Sequence, residues 1–183
     1  MTVDDALNMT SVGSPLISPD GRWVLYSKRT LKWSENEYET EYWAAPTDGS
    51  ASYRYIGEDG GSGFQFSPRG TYLSFRRPVG EGDGRTQQIF VMRTTGGEAV
   101  QLTEHETSIG SYEWAEDESR IFFDADREVP DSIAKERKKG ADPIFVDEGP
   151  NGQTADQWQD LWVWQIEPDS AVRLTEQDFI LGS

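Results

Sequence analysis

Few side chains in this sequence have the types and spacing that chemistry requires. His105 is the single histidine and sits in Thr103-Glu104-His105-Glu106. A serine hydrolase needs an exposed nucleophile, usually in a Gly-x-Ser-x-Gly turn, with a histidine base and an acid that orients it. The chain holds no such pentapeptide, so His105 reads as a surface residue in a loop and no residue is given a catalytic role. Asp124 and Asp126, and the run Glu116-Asp117-Glu118, are acidic but lack the spacing of a calcium loop, and one histidine without cysteine cannot build a zinc site. No metal-ligating and no cofactor-binding residue is therefore expected. Gly80-Glu81-Gly82-Asp83-Gly84 shares only its glycines with a phosphate loop, because no lysine or helix follows and its own carboxylates would repel phosphate. It reads as a hairpin tip. Asn8-Met9-Thr10 fits a glycosylation acceptor, a triplet that arises often by chance.

The composition narrows the classes further. The 183 residues carry 33 Asp plus Glu against 17 Lys plus Arg, a formal net charge of −16. Such an excess repels phosphate backbones and anionic lipid, so neither nucleic acid nor membrane is expected as a partner. With no cysteine there is no disulfide framework. No apolar run approaches the roughly 20 residues that cross a bilayer, and Asp4 and Asp5 lie where a secretory signal would be cationic. A cytoplasmic location is the expectation, with a periplasmic or secreted one as the alternative if a signal has been removed. Aromatic residues make up 12%, with seven Trp, 18 Gly and 9 Pro, a mixture suited to short half-buried strands joined by many turns.

The elements follow from a repeat. Ile17-Ser18-Pro19-Asp20-Gly21-Arg22-Trp23-Val24-Leu25-Tyr26, Phe66-Ser67-Pro68-Arg69-Gly70-Thr71-Tyr72-Leu73-Ser74-Phe75 and Trp114-Ala115-Glu116-Asp117-Glu118-Ser119-Arg120-Ile121-Phe122-Phe123 share one layout, with first residues 49 and 48 positions apart. In each, one strand ends, a four-residue turn follows and an aromatic-rich strand leaves. Ser18, Pro19, Asp20 and Gly21 match the preferences of a type I turn. The second copy keeps Pro68 and Gly70; the third has lost both. Downstream, Glu41-Tyr42-Trp43-Ala44-Ala45, Gln88-Ile89-Phe90-Val91-Met92 and Leu161-Trp162-Val163-Trp164-Gln165 each read as a third strand, followed by a turn and a fourth strand.

Four antiparallel strands per unit of about 40–50 residues is the pattern of a β-propeller blade. The fold class expected is all-β, a partial β-propeller of three four-stranded antiparallel blades with a short helical insertion in the third. The blades span about 11–60, 61–107 and 108–179, and 180–183 read as the start of a missing fourth blade. The inner strands are placed near Pro15–Ile17, Gly63–Phe66 and Ser111–Trp114. Core candidates are Trp23, Leu25, Trp43, Phe66, Leu73, Phe75, Phe90, Leu102, Trp114, Ile121, Phe123, Trp162, Trp164 and Leu174. A β-sandwich with coincidental spacing is the alternative. The connections between second and third strands run from Lys28 to Thr40, Arg77 to Gln87 and Ala125 to Asp160. In the last, Asp131 can cap a short helix through Lys135-Glu136-Arg137-Lys138-Lys139 that Gly140 ends, which is also the one concentrated basic patch. Three blades cannot close a ring, so the expectation is a fragment of a longer protein, with exposed blade faces that favour self-association.

The motif Ser18 to Tyr26, followed by Trp33 to Tyr38 and Thr40-Glu41-Tyr42-Trp43, resembles the first propeller blade of the prolyl oligopeptidase family of serine peptidases, in its acylaminoacyl-peptidase and dipeptidyl-peptidase-like branch. Asp4-Asp5-Ala6-Leu7 is similar to the lead-in helix of that blade, and the third-blade insertion with Asp160-Leu161-Trp162-Val163-Trp164 and Arg173-Leu174-Thr175 is also similar to this branch. The chain departs from the pattern at Arg69, which replaces the turn Asp, and at Glu116 and Glu118, which replace Pro and Gly.

The resemblance implies a propeller that caps an α/β-hydrolase domain carrying a Ser-Asp-His triad and admits short or unfolded peptides. Nothing in this chain matches the triad domain. The function expected is thus a non-catalytic propeller part that gates or positions peptide substrates, its partner, for that missing domain. The alternative is a TolB-type binding or scaffold module working through protein contacts.

Overall fold

The computed structural model describes residue 2 and residues 8–57, 60–128 and 158–175. Twelve strands, β1 to β12, form three four-stranded sheets. The first is a meander of β1 (Ser11–Ile17), β2 (Trp23–Lys32), β3 (Glu37–Pro46) and β4 (Tyr53–Ile56). β5 (Ser62–Phe66), β6 (Tyr72–Val79), β7 (Thr86–Arg93) and β8 (Val100–Gln101) make the second in the same order. The third runs β9 (Ile109–Trp114), β10 (Arg120–Asp126), β11 (Gln159–Gln165) and β12 (Ser170–Arg173). The paired strands whose register is defined are antiparallel. The expected all-β architecture of three blades is present. The helix placed near Asp131–Gly140, the lead-in at Asp4–Leu7 and the restart at 180–183 lie outside the described residues.

The repeated turn is built by the same bonds each time. Ser18 N–H donates to the Trp23 carbonyl at 2.9 Å and Gly21 N–H to the Ser18 carbonyl at 2.8 Å. Ser67 and Gly70 repeat both bonds, with Tyr72, at the same lengths. In these two copies the serine hydroxyl also accepts the N–H of Trp23 or Tyr72. The third copy keeps the backbone bonds through Ala115 and Glu118 without a serine. Gly21 and Gly70 have φ of 70° and 73°, the left-handed region that glycine enters without penalty, and Glu118 adopts 62° in their place.

Each first strand carries one irregularity in its pairing, between Gly13 and Leu16, between Ser62 and Gln65, and opposite Phe123 to Ala125. A bulge there bends the strand and increases its twist. The expected loop from Lys28 to Thr40 is instead a continuous hairpin. β2 and β3 pair over ten residues to Lys32 opposite Glu37. Cross-strand contacts extend it: Arg29 lies 4.2 Å from the Tyr38 ring centre and Lys32 reaches Glu39 at 3.3 Å. Asn36, at φ 53°, closes the turn, a conformation asparagine tolerates.

By compactness the chain forms two units, Met1–Arg77 with Phe90–Val100, and Pro78–Ile89 with Gln101–Ser183. In the first, Leu25, Ile56, Leu73, Phe75 and Met92 are buried, with Tyr42, Phe64, Phe66 and Phe90 packed on them. Leu73 and Phe75 have no exposed surface, and burying each contributes about 1.5–3 kcal/mol. Gly61 is required there: a Cβ would lie 2.6 Å from Phe75 Cδ2. In the second unit, Ile89, Ile109, Tyr112, Ile121, Phe123, Ala125 and Trp164 are buried, with Leu102, Trp114 and Trp162 against them. Two expected core residues are exposed, Trp23 at 37% and Leu174 at 47%. Trp23 is the first residue of β2 and Leu174 follows the last of β12, so both sit at sheet ends.

Candidate functional site

The second unit places His105 in a pocket of about 340 Å³ with many charged residues in its lining. The segment that carries it is fastened from beneath by Gln88, a buried residue of β7. Gln88 Oε1 accepts the Thr103 hydroxyl at 3.0 Å and the His105 N–H at 2.9 Å. Its Nε2 donates to the His105 carbonyl at 2.8 Å and the Thr86 hydroxyl at 3.0 Å. Four bonds satisfy this amide, which makes burying it tolerable. His105 is half-buried, in the loop where its sequence context placed it. Its ring meets Phe123 and Trp162 edge to face, with centroids 5.5 and 4.8 Å away.

Asp160, at the start of β11 and 2% exposed, forms the opposite wall. Arg127 grips it with two bonds, of 3.1 and 3.0 Å, and Arg173 donates to it at 2.7 Å. Burial pushes the Asp160 carboxyl up, but hydrogen bonds and charge from Arg127 and Arg173 outweigh that and hold it below its ordinary value. Arg127 N–H also donates to the Trp158 carbonyl at 2.8 Å. Thus β10 and β11 are joined at this end by an ion-pair cluster, the Arg127 backbone bond and a bond from the Gln159 side chain to Asp126. The rim carries Glu104, Glu106, Asp126 and Glu128, all exposed, so the mouth is anionic.

The contacts around the imidazole fix its orientation. His105 Nδ1 lies 3.2 Å from the Thr107 hydroxyl and 3.3 Å from the Thr107 N–H. That hydroxyl donates to the Asp126 carbonyl. The other acids singled out in the sequence serve local structure: Asp117 accepts the N–H and hydroxyl of Ser119, and Asp124 those of Ser111. Among the described residues no group of three His, Cys, Asp or Glu is placed to hold a metal ion. Gly82–Gly84 forms a short 3-10 turn between β6 and β7.

Gln88, Arg127 and Asp160 were not read as site residues. The signal lay in the paired Leu-Thr steps. Leu102 N–H bonds the Ile89 carbonyl at 2.8 Å and Leu174 N–H the Leu161 carbonyl at 2.7 Å. Thr103 Oγ1 accepts the Ile89 N–H as Thr175 Oγ1 accepts that of Leu161. Leu161 therefore matches Ile89, and Trp162 matches Phe90. Asp160 is the counterpart of Gln88, both buried beneath a threonine hydroxyl.

No family model matches the chain. It is 28% identical over 144 residues to the uncharacterized peptidase YuxL of Bacillus subtilis, covering 78% of this chain and 21% of that protein. The chain thus spans about a fifth of this relative's length. Its fold is similar to that of Pyrococcus horikoshii acylaminoacyl peptidase over 94% of this chain and 26% of that one, with a TM-score of 0.65 and 21% identity. The propeller domain of the Trilobed protease from Pyrococcus furiosus matches with a TM-score of 0.57 and 17% identity, over 90% of this chain and 43% of that chain. The likeness to the propeller of prolyl oligopeptidase-family peptidases, first carried by the turns, extends to sequence and fold.

Proposed function

We propose that this chain is the non-catalytic propeller part of a serine peptidase, where it gates or positions peptide substrates for an α/β-hydrolase domain elsewhere in the parent protein. The sequence likeness to a peptidase, of which the chain spans about a fifth, carries the reading. The pocket geometry supports it. A histidine fixed by Thr107 and two aromatic rings, above a carboxylate neutralised by two arginines, presents a rigid recognition surface with an anionic mouth. Such a mouth favours substrate amines over substrate carboxylates.

The parent protein tests the proposal. It is expected to hydrolyse short acylated or aminoacyl peptides, to be blocked by a serine-directed inhibitor, and to reject the same cleavage sequence inside a folded domain. A reading frame that encodes only propeller blades beyond Ser183, or activity indifferent to substrate size, overturns the proposal.

A further inference from the structure

The first unit holds a cleft of about 400 Å³ that the peptidase reading leaves unused. Four aromatic rings line it, those of Trp23, Tyr53, Tyr55 and Phe66. Trp23 and Tyr53 meet edge to face with centroids 5.9 Å apart at 79°, and Tyr53 and Tyr55 meet likewise at 6.0 Å and 64°. In an edge-to-face pair the inner corner exposes the faces of both rings, and each face is the negative side of the ring quadrupole. Two such corners in succession attract a cation from several sides. Among the described residues Lys28 lies over Tyr26 and Trp43, and Arg29 over Tyr38, but no Lys or Arg lies over Trp23, Tyr53 or Tyr55.

The box is fixed and charged. The Tyr55 hydroxyl donates to the Thr94 carbonyl at 2.9 Å, and burial, with Tyr53 adding to it, pushes this phenol up to about 12, so the ring stays neutral. Asp20 brings a carboxylate to the cleft, and the Ser18 hydroxyl and Arg22 N–H hold it below its ordinary value. Arg69 supplies a cation on the same cleft, and Leu25 and Phe66 make apolar walls. A bare ammonium is strongly hydrated. Methylation weakens that hydration, so aromatic faces bind alkylated ammonium groups well.

We propose that this cleft binds a small zwitterion with a methylated ammonium, the ammonium seated in the corners of Trp23, Tyr53 and Tyr55 beside Asp20 and the anionic group directed to Arg69. The site does not depend on the peptidase reading. Phosphocholine titrated into the whole chain, followed by calorimetry and by the indole N–H signals, is expected to bind saturably. The isostere with an uncharged tert-butyl in place of trimethylammonium is expected to bind about tenfold more weakly. Trp23→Ala and Tyr53→Ala should each lose a similar factor, while Trp23→Phe retains most of the affinity. Both aromatic positions are substantially exposed, and unchanged thermal unfolding of the variants shows that the fold persists. Equal binding of the isostere, affinity unmoved by Tyr53→Ala in a folded variant, or no saturable binding by the wild-type chain overturns the proposal.

Discussion

Glu118 stands where Gly21 and Gly70 stand in the other two turns, with φ of 62° against their 70° and 73°. The Ala115 and Glu118 bonds show why it is held there: the turn geometry is set by the strands it joins, and the residue must comply. A side chain in that conformation costs about 1–2 kcal/mol, part of which glycine returns through its freer unfolded chain. Glu118→Gly is therefore expected to stabilise the chain by about 0.5–1 kcal/mol, read as a higher denaturant midpoint at unchanged slope. No gain would mean that the turn relaxes around Glu118. Ser67 shows the opposite case. It is fully buried and its hydroxyl accepts the Tyr72 N–H at 2.9 Å. Ser67→Ala should cost about 1 kcal/mol in the same measurement, because the Tyr72 N–H loses that acceptor.

At the scale of strands, the blades were legible because turn chemistry and alternation point the same way. The Ser-Pro-Asp-Gly turn and the aromatic strand after it place β2 and β6 to within a residue at their starts. Legibility failed where pairing rather than composition decides. Nothing in the polar stretch from Lys28 to Thr40 announces that the pairing continues to Lys32 and Glu37, and the sequence segments alone did not single out Asp160 as the counterpart of Gln88. A buried carboxylate between two arginines became visible only through register. Its consequence is a pH dependence. The folded Asp160 carboxyl lies below its ordinary, unfolded value, so its stabilisation is complete above the ordinary carboxylate range and is lost as pH falls through the folded value. Asp160→Asn should lower stability at neutral pH by about 2 kcal/mol, since charge-assisted bonds to Arg127 and Arg173 are replaced by weaker ones. The variant should also lose the part of the acid sensitivity that Asp160 contributes below about pH 5. Denaturant unfolding across pH measures both, and parallel curves for the two proteins would remove Asp160 from the account.

For the molecule as a whole, the question is whether the chain can act on a peptide by itself. Hydrolysis needs a nucleophile, a base and an orienting acid in mutual contact, with donors for the developing oxyanion. The chain has one histidine, and its neighbours decide the matter. Its Nδ1 faces Thr107, whose hydroxyl is committed to the Asp126 carbonyl, and the ring is set edge to face with Phe123 and Trp162. Asp160, a buried acid of the pocket, is engaged by Arg127 and Arg173. The 183-residue chain is therefore expected to show no turnover of aminoacyl or acylated-peptide chromogenic substrates above buffer, with or without a serine-directed inhibitor. A change of His105 to Ala should leave that baseline where it is. Turnover that copurifies with the chain, is blocked by the inhibitor and disappears with His105→Ala would show that the pocket transforms its ligand, and the propeller would then be an enzyme without a partner domain.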